Sequence, residues 1–342
     1  MEPFCEPRHE QLRAGARELG LSPDADVPTW LQRLRDAKLL RLPPEHDVRT
    51  LCVLREELAY GSPLADVALA LQGLGTYPLA RFQKKVPEGV AAFAVTEPEA
   101  GSDLGGIQTR ARREGDRFVI DGHKTLISNA PVADFFSLFA RTGEGRDGLS
   151  AFWVPARQAG LRVLPQEVSD PHPIGELILD GACGELVGSE GQGFEIAMAT
   201  LEVFRVSVGA AACGMARRAL DEAVQHARTR RQFGQALSRF QLVQGRLAEM
   251  ATELDAARLL VFRAAALHDA GRPALRESSM AKLFATEAAQ RIVDGAVQVL
   301  GGTGVLRGNP VERLYRAVRS LRIYEGTSEI QKLIIAKDLL RA

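Results

Sequence analysis

The chain has 342 residues, 46% of them hydrophobic and 25% charged, enough for two or three packed layers of an ordinary globular protein. Lys+Arg and Asp+Glu both number 43, so the formal net charge is zero, and no bulk field or polybasic run argues for nucleic acid or an anionic membrane surface. Apolar runs read as far shorter than a membrane span, Cys5, Cys52, Cys183 and Cys213 lack CxxC spacing, and the six histidines lack ligand spacing, so reduced thiols, no metal site and a cytoplasmic protein are expected.

The N-terminal MEPFCEPRHE carries acids and no apolar core, which argues against a secretory or transit leader. Residues 1–88 then read as helical. GARELGL and TWLQRLRDAKLL space apolar residues three and four apart, and LCVLREELAYG closes on Gly61 as on a C-cap glycine. From 89 to 185 the period changes. AAFAV, RFVIDG, FFSLFAR, GLSAFWVP, LRVLP and ELILD are short β-type runs between Gly, Asp, Asn and Pro turns, with His123 in a polar DGHK segment that reads as an exposed turn.

Long helices return from 186 to 342. Leu247, Met250, Leu254, Ala257, Val261, Ala264 and His268 form one stripe, and Met280, Leu283, Phe284, Ala288, Ile292, Ala296 and Val299 another. Stripes of this period are the core faces of packed helices. A helical segment, a β segment and a helical segment make an α+β chain, and no internal repeat or low-complexity linker separates them.

Five stretches are more polar or glycine-rich than a plain scaffold requires. AFAVTEPEAGSDLGG (92–106) follows a strand, and its small residues let the backbone approach a ligand; a decorated turn is the alternative. TLISN (125–129) presents Ser128 at a strand end. RTRRQFGQ (228–235) offers arginine forks for pyrophosphate or carboxylate, or is simply a solvated helix end. QVLGGTG (298–304) lacks the GxGxxG spacing of a dinucleotide fold and reads equally as a glycine helix stop. In LRIYEGTSEIQKLII (321–335), Thr327 or Ser328 caps a helix carrying Ile330, Leu333 and Ile334. Capping leaves Glu325 unexplained. Its neighbours Ile323 and Tyr324 predict partial burial and a raised carboxyl pKa.

In this order, VTEPEAGSD, LISN, RRQFGQ, QVLGGTG and IYEGTSEIQ resemble the acyl-CoA dehydrogenase family, with EELAYG (56–61) and GSEGQGF (188–194) extending the match from about Glu56 to the C-terminus. The resemblance implies a shortened N-terminal helical domain (1–88), a middle β-barrel or sheet domain (89–185) and a C-terminal four-helix bundle (186–342). It implies FAD as cofactor, an acyl-CoA thioester as substrate, and an electron acceptor such as an electron-transfer flavoprotein. Other chemistries of the same fold are an acyl oxidase, a dehydrogenase of carrier-protein-bound acyl chains, or a non-catalytic flavin binder.

By the same resemblance Phe93, Val95, Thr96, Gly101, Ser102, Ile127 and Ser128 line the flavin. Arg230, Phe233, Gln298, Gly301 and Gly302 reach the FAD of a neighbouring subunit in a homotetramer or homodimer, Gln232 and Gln241 also bind the cofactor, and Thr327 and Glu329 flank the diphosphate. Ser102, Arg205 and Gly326 contact the substrate. Relatives keep the catalytic base either at Glu325 or just before the arginine that matches Arg205. Phe204 stands at that second position and takes no proton, so Glu325 is the expected base.

Overall fold

A computed structural model describes residues 4–22, 25–83 and 85–341. The first residues of the stretch read for a leader lie outside that description. By packing, the chain divides into two units. One takes in Asp47–Asp66 and Arg205–Ala342 with the N-terminal stretch to Asp24; the other takes in Ala25–His46 and Val67–Phe204. Helix α2 (Val27–Asp36) belongs to the second, and helices α4 (Pro63–Phe82) and α5 (Gly193–Thr229) contribute residues to both. The units therefore cut through helices, whereas the boundaries expected at 88/89 and 185/186 follow sequence order.

In the second unit, strands β1 (Ala91–Ala94), β2 (Arg110–Glu114), β3 (Arg117–Ser128), β4 (Phe135–Arg141), β5 (Leu149–Pro155), β6 (Leu161–Pro165) and β7 (Ile174–Val187) form one sheet ordered β1-β4-β2-β3-β7-β5. β5 also pairs with β4, so the sheet closes on itself, and β6 pairs with β7. β4 shows why FFSLFAR reads as a continuous apolar run. Phe136 and Leu138 enter one core with Phe118, Phe152 and Leu177, while Phe135 and Phe139 enter a second with Leu79 of α4 and Ile196 of α5. Both faces are buried, so alternation is lost. β2 was not expected, because RARRE buries only Ala111 and carries no apolar pattern. His123 is likewise not in a turn. β3 runs on through it past a register irregularity at Ile120/Gly122, and its Nε2 lies 2.9 Å from Glu176 Oε2.

The first unit is helical: α1 (Pro7–Gly20), α3 (Val48–Gly61), the C-terminal part of α5, α6 (Gln241–Asp269), α7 (Leu275–Leu300), α8 (Pro310–Leu321) and α9 (Ser328–Leu339). Gly61 is not a left-handed cap. Its role is close approach, since a Cβ there would collide with the backbone of Gly20 on α1. Gly214 on α5 does the same against the Glu56 carbonyl. Between these contacts Glu57 is fully buried and receives Arg13 Nη1 at 2.9 Å, Arg17 Nε at 3.0 Å and Arg217 Nη2 at 2.6 Å.

The α6 stripe from Met250 to Ala264 is buried as expected. On α7 the stripe holds from Ala288 to Val299, but at the N-terminal end the buried face is turned: Ala281, Lys282 and Ala285 go inward in place of Met280, Leu283 and Phe284. α5 is long and apolar enough to cross a membrane, which single-run inspection missed because charges punctuate it; 78% of its apolar window is buried inside the structure. RRQFGQ forms a two-residue hairpin, β8 (Arg231–Gln232) and β9 (Gln235–Ala236), exposing Phe233 at 92%.

Candidate active site

Glu325 occupies the turn between α8 and α9. Asn309 caps the start of α8 through Val311 N, and Thr327 caps α9 by accepting from Ile330 N at 3.3 Å. Of the two expected caps Thr327 is the one; Ser328 is inside the helix, its Oγ donating to Glu287 Oε1 at 2.6 Å. The connecting turn forces Glu325 to φ 53° and Gly326 to φ 92°. For a residue with a Cβ this left-handed backbone is strained, and such strain concentrates at functional sites. Lys282 Nζ donates to Gly326 O at 2.7 Å, and Gln331 Nε2 donates to Gly326 O at 2.9 Å and Glu325 O at 3.3 Å, so three hydrogen bonds fix the turn.

The turn sends the carboxylate inward. Glu325 keeps some exposed surface, yet its Oε2 is sealed from solvent and has no hydrogen-bond partner. The expected source of burial was wrong: Ile323 and Tyr324 face out, 53% and 36% exposed. Burial drives the Glu325 carboxyl up to about 7, opposed by the positive charges of Arg55, Lys282 and Arg205 and assisted by Asp66. Arg205, expected at the substrate, is buried among these groups. Phe204 packs edge-on against Tyr77, ring centroids 6.0 Å apart, in the other unit.

In the β unit a second group forms around the end of β3. Lys124, fully buried, donates to Val95 O at 3.0 Å and Glu97 Oε1 at 2.8 Å, and Thr125 N donates to Thr96 O at 3.0 Å. Glu97 also accepts from Gln108 N and Thr109 N, so VTEP is clamped to the ISN strand end. Burial pulls Lys124 down to about 8, and the Glu97 carboxylate opposes the fall. Leu126 stands 53% exposed at φ 55°, its N–H held by Gln166 Oε1 at 3.0 Å. Ser128 Oγ lies 3.0 Å from His172 Nε2.

Phe93, Thr96, Leu126 and Ser128 each keep exposed surface and none carries a charge, a set whose chemistry suits the face and polar edge of a flavin ring. Val95 and Ile127 differ from expectation in kind, since their side chains are buried in the two cores and leave only backbone to face a ligand. Gly101 and Ser102 are exposed, as are Arg230, Gln232, Phe233, Gln241, Gln298, Gly301 and Gly302. At the start of α9 the Glu329 carboxyl is held below its usual range, its own backbone N–H and Thr327 favouring the anion. A diphosphate there would share that helix end with an anion of the chain itself. Sequence reasoning missed Lys124, Lys282, Arg55, Asp66, Leu126 and His172. Nothing in the local sequence marks these cations as buried, and no motif marks His172.

Known proteins supply a further finding. Residues 92–182 match the model of the acyl-CoA dehydrogenase middle domain, and residues 191–340 that of the C-terminal domain. Cyclohexane-1-carbonyl-CoA dehydrogenase of Geobacter metallireducens is 39% identical over 312 residues, covering 85% of this chain and 81% of that protein. Butyryl-CoA dehydrogenase from Megasphaera elsdenii superposes with a TM-score of 0.91 at 29% identity over 100% of both chains. A chain in the structural work on the electron transferring flavoprotein of Acidaminococcus fermentans gives 0.93 at 31% identity, again over 100% of both.

Proposed function

Because this chain belongs to the acyl-CoA dehydrogenase family, whose members are flavin-dependent oxidoreductases, we propose that it removes a proton from Cα of an acyl-CoA thioester while a hydride leaves Cβ, forming the α,β double bond. Glu325 is the base. The observation that carries this is its Oε2, sealed and without a partner in a strained turn. With its midpoint at about 7, the carboxyl is poised to accept a proton near neutral pH. The proton passes to Oε2, and the backbone N–H of Glu325 donates to the thioester carbonyl, favouring the enolate-like charge that develops there. When bound, FAD accepts the hydride.

Phe93, Thr96, Leu126 and Ser128 bed the ring, with Lys124 and Glu97 holding the strand ends in place. Gly101, Ser102 and the backbone of Val95 and Ile127 complete that side, and Arg205 and Gly326 face the substrate. Arg230, Phe233, Gln298, Gly301 and Gly302 serve the cofactor of a neighbouring copy in a homodimer or homotetramer, and Gln232 and Gln241 also bind the cofactor, a reading supported by the exposure of all seven in the single chain. Thr327 and Glu329 stand near the diphosphate. An electron-transfer flavoprotein takes the electrons onward, a reading supported by the likeness to the chain from Acidaminococcus fermentans.

Glu325→Gln preserves shape and cannot take the proton. Loss of a positioned base costs about 10²–10⁴-fold, so the variant should remain yellow and bind acyl thioester while its flavin bleaches anaerobically at most at that reduced rate. Bleaching at near the wild-type rate, read by rapid-mixing absorbance, would remove Glu325 from the role.

A further inference from the structure

We infer that Gln331, on the first turn of α9, is the positioning residue that holds Glu325 in its left-handed backbone and so aims the carboxylate. The inference rests on Glu325 being the base. Gln331 is the fourth residue after the Thr327 cap, and its backbone N–H donates to Thr327 O at 3.0 Å. A helical side chain points back toward the N-terminus and lies over the preceding turn. From this position that direction leads to Glu325 and Gly326. Gln331 is fully buried, and its Nε2 donates to Gly326 O at 2.9 Å and to Glu325 O at 3.3 Å. Two carbonyl acceptors decide which end of the amide faces the turn. Gly326 leaves room for it, since a Cβ there would stand 2.5 Å from Gln331 Nε2.

Stability does not call for a glutamine here. Its Oε1 is sealed from solvent without a hydrogen-bond partner, which burdens the folded state. Methionine fills a similar volume and carries no such oxygen. Nor does α9 need Gln331 to stay in place. Glu287 on α7 accepts from Ser328 Oγ at 2.6 Å and from Arg322 Nε at 2.8 Å, and Ser328 N donates to Arg322 O at 3.1 Å. Both ends of the turn are tied down by these bonds. Gln331 acts on the two residues between them.

Those two residues need holding. At φ 53° Glu325 occupies a backbone region that a residue with a Cβ leaves readily. Lys282 Nζ holds the carbonyl of Gly326, and Gln331 holds the carbonyls of both residues. Release of Glu325 toward negative φ would swing its Cα–Cβ bond and carry the carboxylate away. A displacement of about 1 Å at a reacting group costs about 10²-fold in rate.

The test is Gln331→Met in the holoenzyme, which keeps the volume and removes both donated bonds together with the sealed oxygen. Flavin reduction at saturating acyl thioester, read anaerobically by rapid mixing, should slow about 10²-fold. Binding of a non-reducible thioester analogue should be little changed, and the melting temperature should match or exceed that of wild type. In the Glu325→Gln background Gln331→Met should slow the residual rate no further, because both residues act through one carboxylate. Reduction at the wild-type rate overturns the inference. An equal loss in the Glu325→Gln background also overturns it, since general damage would be felt there too. Normal reduction by Glu325→Gln alone removes the base itself, so the two ideas fail by separate measurements.

Discussion

Two glutamates of the helical unit, Glu57 fully buried and Glu325 with one carboxylate oxygen sealed, have opposite fates. Glu57 is surrounded by Arg13, Arg17 and Arg217 within direct hydrogen-bonding reach. Burial pushes its carboxyl up, but the bonds and charges of Arg217, Arg17 and Arg13 outweigh burial and hold it below the usual range. Glu325 also has arginines in its field, yet none bonds to its Oε2, and burial wins. The charges acting on the two are alike in type. What separates them is hydrogen bonding to the anion, which makes one glutamate a structural anchor and leaves the other able to take a proton.

The sharpest way to break that contrast is Glu57→Gln. It takes the central anion out of a cluster in which Arg13 keeps Glu10 and Glu56 and Arg217 keeps Glu56, and removal of one partner from a buried ionic cluster costs about 3–5 kcal/mol. Because the folded carboxyl lies below its unfolded value, its stabilising contribution is present at neutral pH and disappears as pH falls through the folded value. Variant and wild type should therefore melt far apart at pH 7 and converge in acid by calorimetry. Equal melting temperatures at pH 7 would mean the cluster contributes nothing.

Glu325→Gln should shift stability the other way. With the folded carboxyl at about 7 against 4.5, ionisation burdens the folded state as pH rises between those values. At about 1.4 kcal/mol per unit, the variant should be more stable than wild type at pH 8 by up to roughly 3 kcal/mol, and the gain should vanish near pH 4.5. A variant less stable than wild type at pH 8 would make Glu325 a structural anion like Glu57.

Lys282→Met gives the smallest effect. Removing a cation that opposes burial should raise the pH midpoint for flavin reduction by about one unit. The difference in rate should close above pH 8, where Lys282 itself is losing its proton. A pH profile identical to wild type would restrict Lys282 to holding the Gly326 carbonyl.

Much of this was legible in the residues. Apolar spacing located the strands of the β unit except β2, whose one inward residue, Ala111, carries no pattern among four charged neighbours. EGTSE marked the helix cap and singled out Glu325, the proposed base, because a carboxylate ahead of a capping threonine has no local use. Its environment was not legible. Arg55, Lys124 and Lys282 look like solvated charges until tertiary packing turns them inward, and a one-residue shift of the buried face at the start of α7 is invisible to a periodicity count. The left-handed turn at Glu325 escaped for a similar reason: only Gly326 hinted at it, and a single glycine before a helix is common.

The contact between Gly61 and Gly20, with Gly214 against Glu56, has a consequence for how the protein tolerates change. Where helices touch main chain to main chain there is no side chain to adjust, so one added methyl group must push whole helices apart. Such a substitution looks minor beside the loss of a charged residue, and a random library would place these glycines among the surface positions of an amphipathic helix. Screened for function at rising temperature, the library should instead show them as rigid as any catalytic position, with alanine rejected where a distant arginine is freely exchanged.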